Sequence, residues 1–176
     1  MIKTMMLATF AGGCFWCLQP QFDAIPGVSK TTVGYTGGQM ANPTYEQVCS
    51  GKTGHLEAIE IEYDPKKVSY KALVDTFWKL IDPTVENRQF ADVGTQYQTA
   101  IFYHSETQHD VALASKQALQ RSKKFGDKPI MVKILPSQPF YPAETYHQCY
   151  YKKNPVHYEL YKEGSGRAEF IRSHYK

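Results

Sequence analysis

Apolar residues recur along this chain with two different spacings. Met6 to Ala11, Lys30 to Tyr35, His55 to Tyr63, Tyr97 to Tyr103 and Ile130 to Leu135 read as five strands. In the third, Leu56, Ala58 or Ile59, and Ile61 alternate with Glu57, Glu60 and Glu62. Elsewhere the spacing lengthens to that of a helix. Behind Ser69, Tyr70, Leu73, Val74, Phe77, Trp78 and Ile81 form one core-facing stripe, and Asp82-Pro83 stops it. Phe15 to Ala24 is a first helix, ended by Pro26-Gly27, and Thr44 caps a short one through Cys49. Ser105 and Gln108 match a capping box for a long helix to Lys124, with Gly126 as its C-cap. Thr84 to Gln96 reads as a polar loop. Pro136, Pro139, Pro142 and Pro155 mark the rest as a loop-rich wrap with one or two short helices. Strands alternating with long helices predict an α/β or α+β two-layer sandwich, with helices on one side of the sheet. The element order leaves open whether that sheet is mixed or parallel.

At 176 residues, with 42% hydrophobic and 21% charged residues, the chain is expected to form one domain over positions 1–176. The net charge of +3 comes from interspersed residues and forms no basic stripe, which argues against nucleic acid. No apolar window is long enough to span a bilayer. Lys3 and the run Met5 to Phe10 fall short of a secretory signal, so a cytoplasmic location is expected, with no membrane partner. Four cysteines, at 14, 17, 49 and 149, are too few for a disulfide scaffold.

Two of those cysteines carry the chemistry. In Ala11-Gly-Gly-Cys-Phe-Trp-Cys17 the thiols stand three residues apart where a strand turns into a helix. Glycines let the backbone bend and leave room at the sulfur. A helix N-terminus stabilises a thiolate, and a second thiol one turn on can capture what forms on the first. Phe15 and Trp16 place large apolar rings between them. Buried packing cysteines, a zinc site and thioredoxin-like exchange are the rival readings. Zinc lacks a second ligand pair at recognisable spacing, and thioredoxin-like sites put small residues where Phe-Trp stands.

Glu57 is out of phase with Glu60 and Glu62, so it faces the other side of its strand. Buried there it would be a general acid near neutral pH; the plain alternative is one more strand carboxylate. Asp92 and Gly94 read equally as a turn before Tyr97, and His147 equally as a packing residue. Cys49 reads as packing.

Taken together these residues resemble the A-type peptide methionine sulfoxide reductases. The matching segments are Gly12-Gly13-Cys14-Phe15-Trp16, Gly34-Tyr35-Thr36-Gly37-Gly38, Tyr45, Thr53-Gly54-His55 with Glu57, Asp82-Pro83, Gly94-Thr95-Gln96-Tyr97, and His147-Gln148 with Lys153-Asn154-Pro155. They stand in family order over nearly the whole chain. The resemblance implies a mixed sheet with a ferredoxin-like core. It also implies reduction of the S epimer of methionine sulfoxide, free or in oxidised proteins and peptides, as oxidative damage repair. On it, Cys14 attacks sulfur, Glu57 protonates the oxygen, Tyr45 and Tyr97 donate hydrogen bonds to that oxygen, Asp92 orders the site, and Phe15 and Trp16 hold the methyl group. A sulfenic acid forms, a resolving thiol makes a disulfide, and thioredoxin or dithiothreitol reduces it. No cofactor or metal is implied, and a monomer is expected. This chain departs from the commonest pattern by having Cys17, no cysteine after Cys149, and Val93 where a basic residue is frequent. Recycling through a C-terminal tail thiol is therefore not expected; Cys17 is the expected resolver and Cys149 its competitor.

Overall fold

The predicted strands meet in one six-stranded sheet in the computed structural model, which describes residues 4–175. Lys3, read above as part of an N-terminal segment, lies outside the described residues. In chain order the elements are β1 (Met6–Gly12), α1 (Phe15–Asp23), β2 (Val28–Thr36), α2 (Tyr45–Cys49), β3 (Leu56–Tyr63) and α3 (Tyr70–Trp78). A small ladder of β4 (Arg88–Gln89) and β5 (Asp92–Val93) comes next, then β6 (Thr99–Tyr103), α4 (Glu106–Ser122), β7 (Lys133–Pro136) and β8 (Tyr141–Pro142). Three helices close the chain: α5 (Tyr150–Lys153), α6 (Pro155–Gly164) and α7 (Arg167–His174).

The strand order is β7-β6-β1-β3-β2-β8. All neighbours are antiparallel except β6 and β7, so the sheet is mixed. The path β1-α1-β2-β3-α3-β6, with β1 and β3 central, is the ferredoxin-like split βαβ arrangement.

Alternation along the strands decides which side is buried under helices. Phe10, Val33, Tyr35, Ile59, Ile61, Tyr63 and Ile101 join the core shared with α1 and α3. Phe10 stacks on Phe22 of α1 and Phe77 of α3, with ring centroids at 5.5 and 5.0 Å. Each such buried ring contributes roughly 2 kcal/mol of transfer free energy. The opposite face carries the smaller set Ala11, Leu56, Ala58, Ala100 and Phe102, packed by Leu135 and Phe140.

Several boundaries differ from the sequence reading, each for a tertiary reason. Helix α3 ends at Trp78 rather than Ile81, because the carbonyl of Leu80 and both backbone groups of Asp82 are claimed by the side chains of Arg167 and Gln89. The expected loop from Thr84 to Gln96 contains the β4–β5 ladder, which pairs Gln89 with Asp92. Tyr97 does not begin a strand. It lies in a 3-10 turn, Thr95–Tyr97, closed by the Tyr97 N–H donating to the Gly94 carbonyl at 3.1 Å. Residues 130–132 leave the predicted fifth strand because Ile130 N–H donates to Gln120 Oε1 and Met131 N–H to the Pro83 carbonyl. Helix α4 stops at Ser122 with Lys123, not Gly126, as its C-cap, although both residues are left-handed. The tail is mostly helical rather than loop-rich. Pro155 marks a helix start, where its missing N–H costs nothing, rather than a break.

Candidate active site

Gly13 has φ of +77°, and a Cβ there would sit 2.5 Å from Cβ of the fully buried Gln89. Only glycine fits that turn. It delivers Cys14 to the N-cap of α1, with the Cys17 N–H donating to the Cys14 carbonyl at 3.2 Å. Both thiols are buried, at 6% and 3% exposure. Burial pushes the Cys14 thiol well above its ordinary range, and its contacts with Cys17 push it the same way. Cys17 moves in the opposite direction, lowered first by the hydrogen bond from the Cys14 thiol and further by the nearby charge of Arg167. The two shifts run in opposite directions: the Cys14 thiol is held toward its protonated form and the Cys17 sulfur toward thiolate. The helix terminus does not serve Cys14 as its sequence position suggested. The Phe15 N–H is donated instead to Glu57 Oε2, at 3.1 Å.

Glu57 points, as its phase predicted, to the side opposite Glu60 and Glu62, among Ile59, Ile61 and Tyr63. It is 2% exposed. Burial raises its pKa to about 8 against the opposing Phe15 hydrogen bond, so it carries a proton at neutral pH. The plain strand-carboxylate alternative is thereby set aside. Asp92 arrives through the β4–β5 ladder and accepts a short hydrogen bond from the Tyr161 hydroxyl. Burial raises its pKa, which Tyr161 and Arg167 oppose. Burial also drives the phenols of Tyr45, Tyr97 and Tyr161 far above their usual range, so all three remain neutral donors.

The aromatic wall is held from the C-terminal third of the chain. Trp16 stacks on Tyr150 at 3.9 Å between centroids, meets the edge of Tyr161 at 5.9 Å, and donates its indole N–H to His147 Nδ1 at 3.0 Å. His147 is 1% exposed and also touches Phe15 and Tyr45. Its Nδ1 accepts, so the proton is on Nε2. Glu144 accepts from the Tyr35 hydroxyl at 3.0 Å and from the Tyr45 backbone N–H at 3.1 Å, tying the tail to β2 and α2.

Cys14, Phe15, Trp16, Tyr45, Glu57, Asp92, Tyr97 and Tyr161 line one cavity of about 190 Å³. That is below the roughly 300–1,000 Å³ of drug-sized ligand sites and suits a single side chain. A larger groove of about 650 Å³ runs along α3 and α4 past Trp78, Leu119 and Tyr175, but it holds no thiol. Seven of these eight lining residues were legible in the sequence. Tyr161 was missed, as were Glu144 and Arg167; only the i, i+4 spacing of Tyr161 from His157 hinted at it. Cys17 joins Cys14. Cys149 does not line the cavity; its backbone N–H donates to Gln19 Oε1 of α1 at 2.7 Å. Cys49, read as packing, instead lies against the hydroxyl of Tyr45 at the rim of the site. Among the described residues no group of three or more His, Cys, Asp or Glu side chains is placed to hold a metal. No described helix is long and apolar enough to cross a membrane.

The arrangement is a thiol pair, a protonated carboxyl and neutral phenols around an apolar slot. Known proteins are similar to this chain over most of its length. MsrA of Bacillus subtilis (strain 168), a peptide methionine sulfoxide reductase, is 54% identical over 169 residues, covering 96% of this chain and 95% of that one. Two solved structures are similar at 34% identity over 86% of this chain. Reduced Mxr1 of Saccharomyces cerevisiae has a TM-score of 0.80 and is covered to 86%, and methionine sulfoxide reductase A of Corynebacterium diphtheriae has 0.77 and is covered to 76%. The family model described as peptide methionine sulfoxide reductase matches residues 6–176, and the chain belongs to that family.

Proposed function

We propose the following assignment of the family's reaction, thiol-dependent reduction of methionine sulfoxide, to the residues of this chain. The single observation that carries it is the cavity in which Cys14 faces a carboxyl protonated at neutral pH. The substrate is the S epimer of methionine sulfoxide, in peptides and oxidised proteins. Its methyl group lies against Phe15 and Trp16, and its oxygen accepts from Glu57, Tyr45 and Tyr97. Asp92, hydrogen-bonded to Tyr161, orders this side of the pocket.

The Cys14 proton passes along its hydrogen bond to Cys17, the sulfur that this bond and Arg167 hold toward thiolate. The Cys14 thiolate attacks the sulfoxide sulfur while Glu57 protonates the oxygen, which without that proton is a poor leaving group. The oxygen ends on Cys14: methionine sulfur is reduced by two electrons and Cys14 is oxidised to the sulfenic acid. Cys17 then returns its proton to Glu57 and attacks Cys14. The S–S bond forms, the S–O bond breaks, and hydroxide leaves as water with the Glu57 proton. An external dithiol reduces the disulfide. Thioredoxin is the dithiol we propose, since yeast Mxr1 is seen in complex with Trx2. Four unpaired thiols fit a reducing compartment, and we read the chain as a cytoplasmic monomer without a bound cofactor. We read positions 1–176 as one catalytic domain, since Tyr161 of α6 lines the cavity beside residues from the first third of the chain.

The resolving step is tested by Cys17→Ser. That variant is expected to yield one equivalent of methionine and then stop with thioredoxin, while dithiothreitol still supports turnover. Undiminished thioredoxin turnover in that variant, together with its loss in Cys149→Ser, would move the role to Cys149. His147 is tested by the phenylalanine variant, which leaves the Trp16 N–H without an acceptor. Loss of such a bond is worth about 1 kcal/mol, so a roughly fivefold rise in KM is expected, with a smaller change in kcat. An unchanged KM would make His147 a packing residue.

A further inference from the structure

Arg167 is 2% exposed, yet no carboxylate forms an ion pair with it among the described residues. Its guanidinium donates to the carbonyl of Leu80 at 2.5 Å and to that of Gly12 at 3.1 Å, and lies 4.7 Å from the ring centre of Phe90. A Cβ at Gly13 would meet one of its nitrogens at 3.0 Å. A buried charge without a partner is costly and calls for a reason. We propose that Arg167 is the positioning residue of the dithiol: it holds the Gly12-Gly13 turn from beneath and supplies the positive charge that steadies the Cys17 thiolate during attack on oxidised Cys14. The proposal rests on the reading of Cys17 as the resolving thiol.

The surroundings of Cys17 single out this cation. Facing it are Cys14 from α1, Glu57 from β3, Asp92 from β5, Tyr158 and Lys162 from α6, and Arg167 from α7. Glu57 is neutral until about pH 8, and burial keeps Tyr158 neutral. Asp92 opposes a thiolate. Lys162 is already paired with Glu159 at 2.7 Å. Of the two cations, Arg167 is the one without a salt-bridge partner among the described residues, although its charge also acts on Asp92, and its side chain cannot lose that charge. Fixed by two backbone carbonyls, it is in place before a sulfenic acid forms.

The test follows Cys17 directly. In the full chain carrying Cys14→Ser, Cys49→Ser and Cys149→Ser, the rate of alkylation by iodoacetamide is measured against pH. Arg167→Met is expected to raise the midpoint by about one pH unit or more, as removal of a close opposite charge does, and Arg167→Lys to restore at least half of that shift. With all thiols present and one equivalent of sulfoxide, disulfide formation at pH 7 is expected to slow about tenfold in Arg167→Met, in step with the midpoint. If the methionine variant does not fold, Arg167→Gln, which can still donate to a carbonyl, gives the same reading. An unmoved midpoint, or one that lysine fails to restore, overturns the role of the charge. Peptide mapping of the disulfide separates the two ideas: a Cys14–Cys149 bond would overturn the resolver, while the midpoints still judge Arg167.

Discussion

Replacing Cys14 by serine is expected to abolish methionine sulfoxide reduction, by about four orders of magnitude or more, with dithiothreitol as reductant. A serine oxygen is not a thiolate at any usable pH and cannot carry the transferred oxygen as a sulfenic acid does. The other thiols do not take over. Cys17 lies one turn behind Cys14, and neither Cys17 nor Cys149 is among the residues that line the cavity. The site itself should survive, because serine is close in size and the Gly13 turn is fixed by Gln89 and Arg167. Methionine released per enzyme, read by mass after incubation with a sulfoxide peptide, decides it. Retained turnover would remove Cys14 from the nucleophile position.

Glu57→Gln is expected to slow the sulfoxide step by about 10²–10⁴ and, at the same time, to make the protein more stable at neutral pH. Glutamine can still accept the Phe15 N–H but has no proton to give. The stability effect follows from burial. Folded Glu57 keeps its proton to about pH 8, whereas the unfolded chain releases it near 4.5. Between these values the unfolded state binds fewer protons, so stability falls as pH rises across that window. Glutamine is free of this cost. Its advantage should be absent below about pH 4.5 and amount to roughly 3 kcal/mol at pH 7. Urea melts at both pH values measure it, and an equal gap at both would contradict a protonated Glu57. The same ionisation gives the parent's single-turnover rate a limb falling through about pH 8, which the variant should lack.

The fold was largely legible because its core strands and its main helix stripe carry strong periodicity: Phe10, Ile59 and Phe77 lie where their phase puts them. What escaped was set by long-range side-chain bonds. Gln120 pulled Ile130 out of a strand, and Arg167 and Gln89 took the groups that would have ended α3 later. Prolines misled in the tail because the same residue type breaks a helix inside it and starts one at its first position.

By itself the sequence determined the thiol pair at a strand-to-helix turn, the phase that singles out Glu57, and a set of motifs resembling a known family. Those depend on local geometry: three residues make one turn, and alternate residues share a face. Only the tertiary structure decided in which direction each thiol is shifted, that Glu57 is neutral, that Tyr161 completes the cavity, and that Arg167 stands beneath the turn. Ionisation depends on burial and on charges brought close from distant parts of the chain, and no spacing along a sequence contains that information.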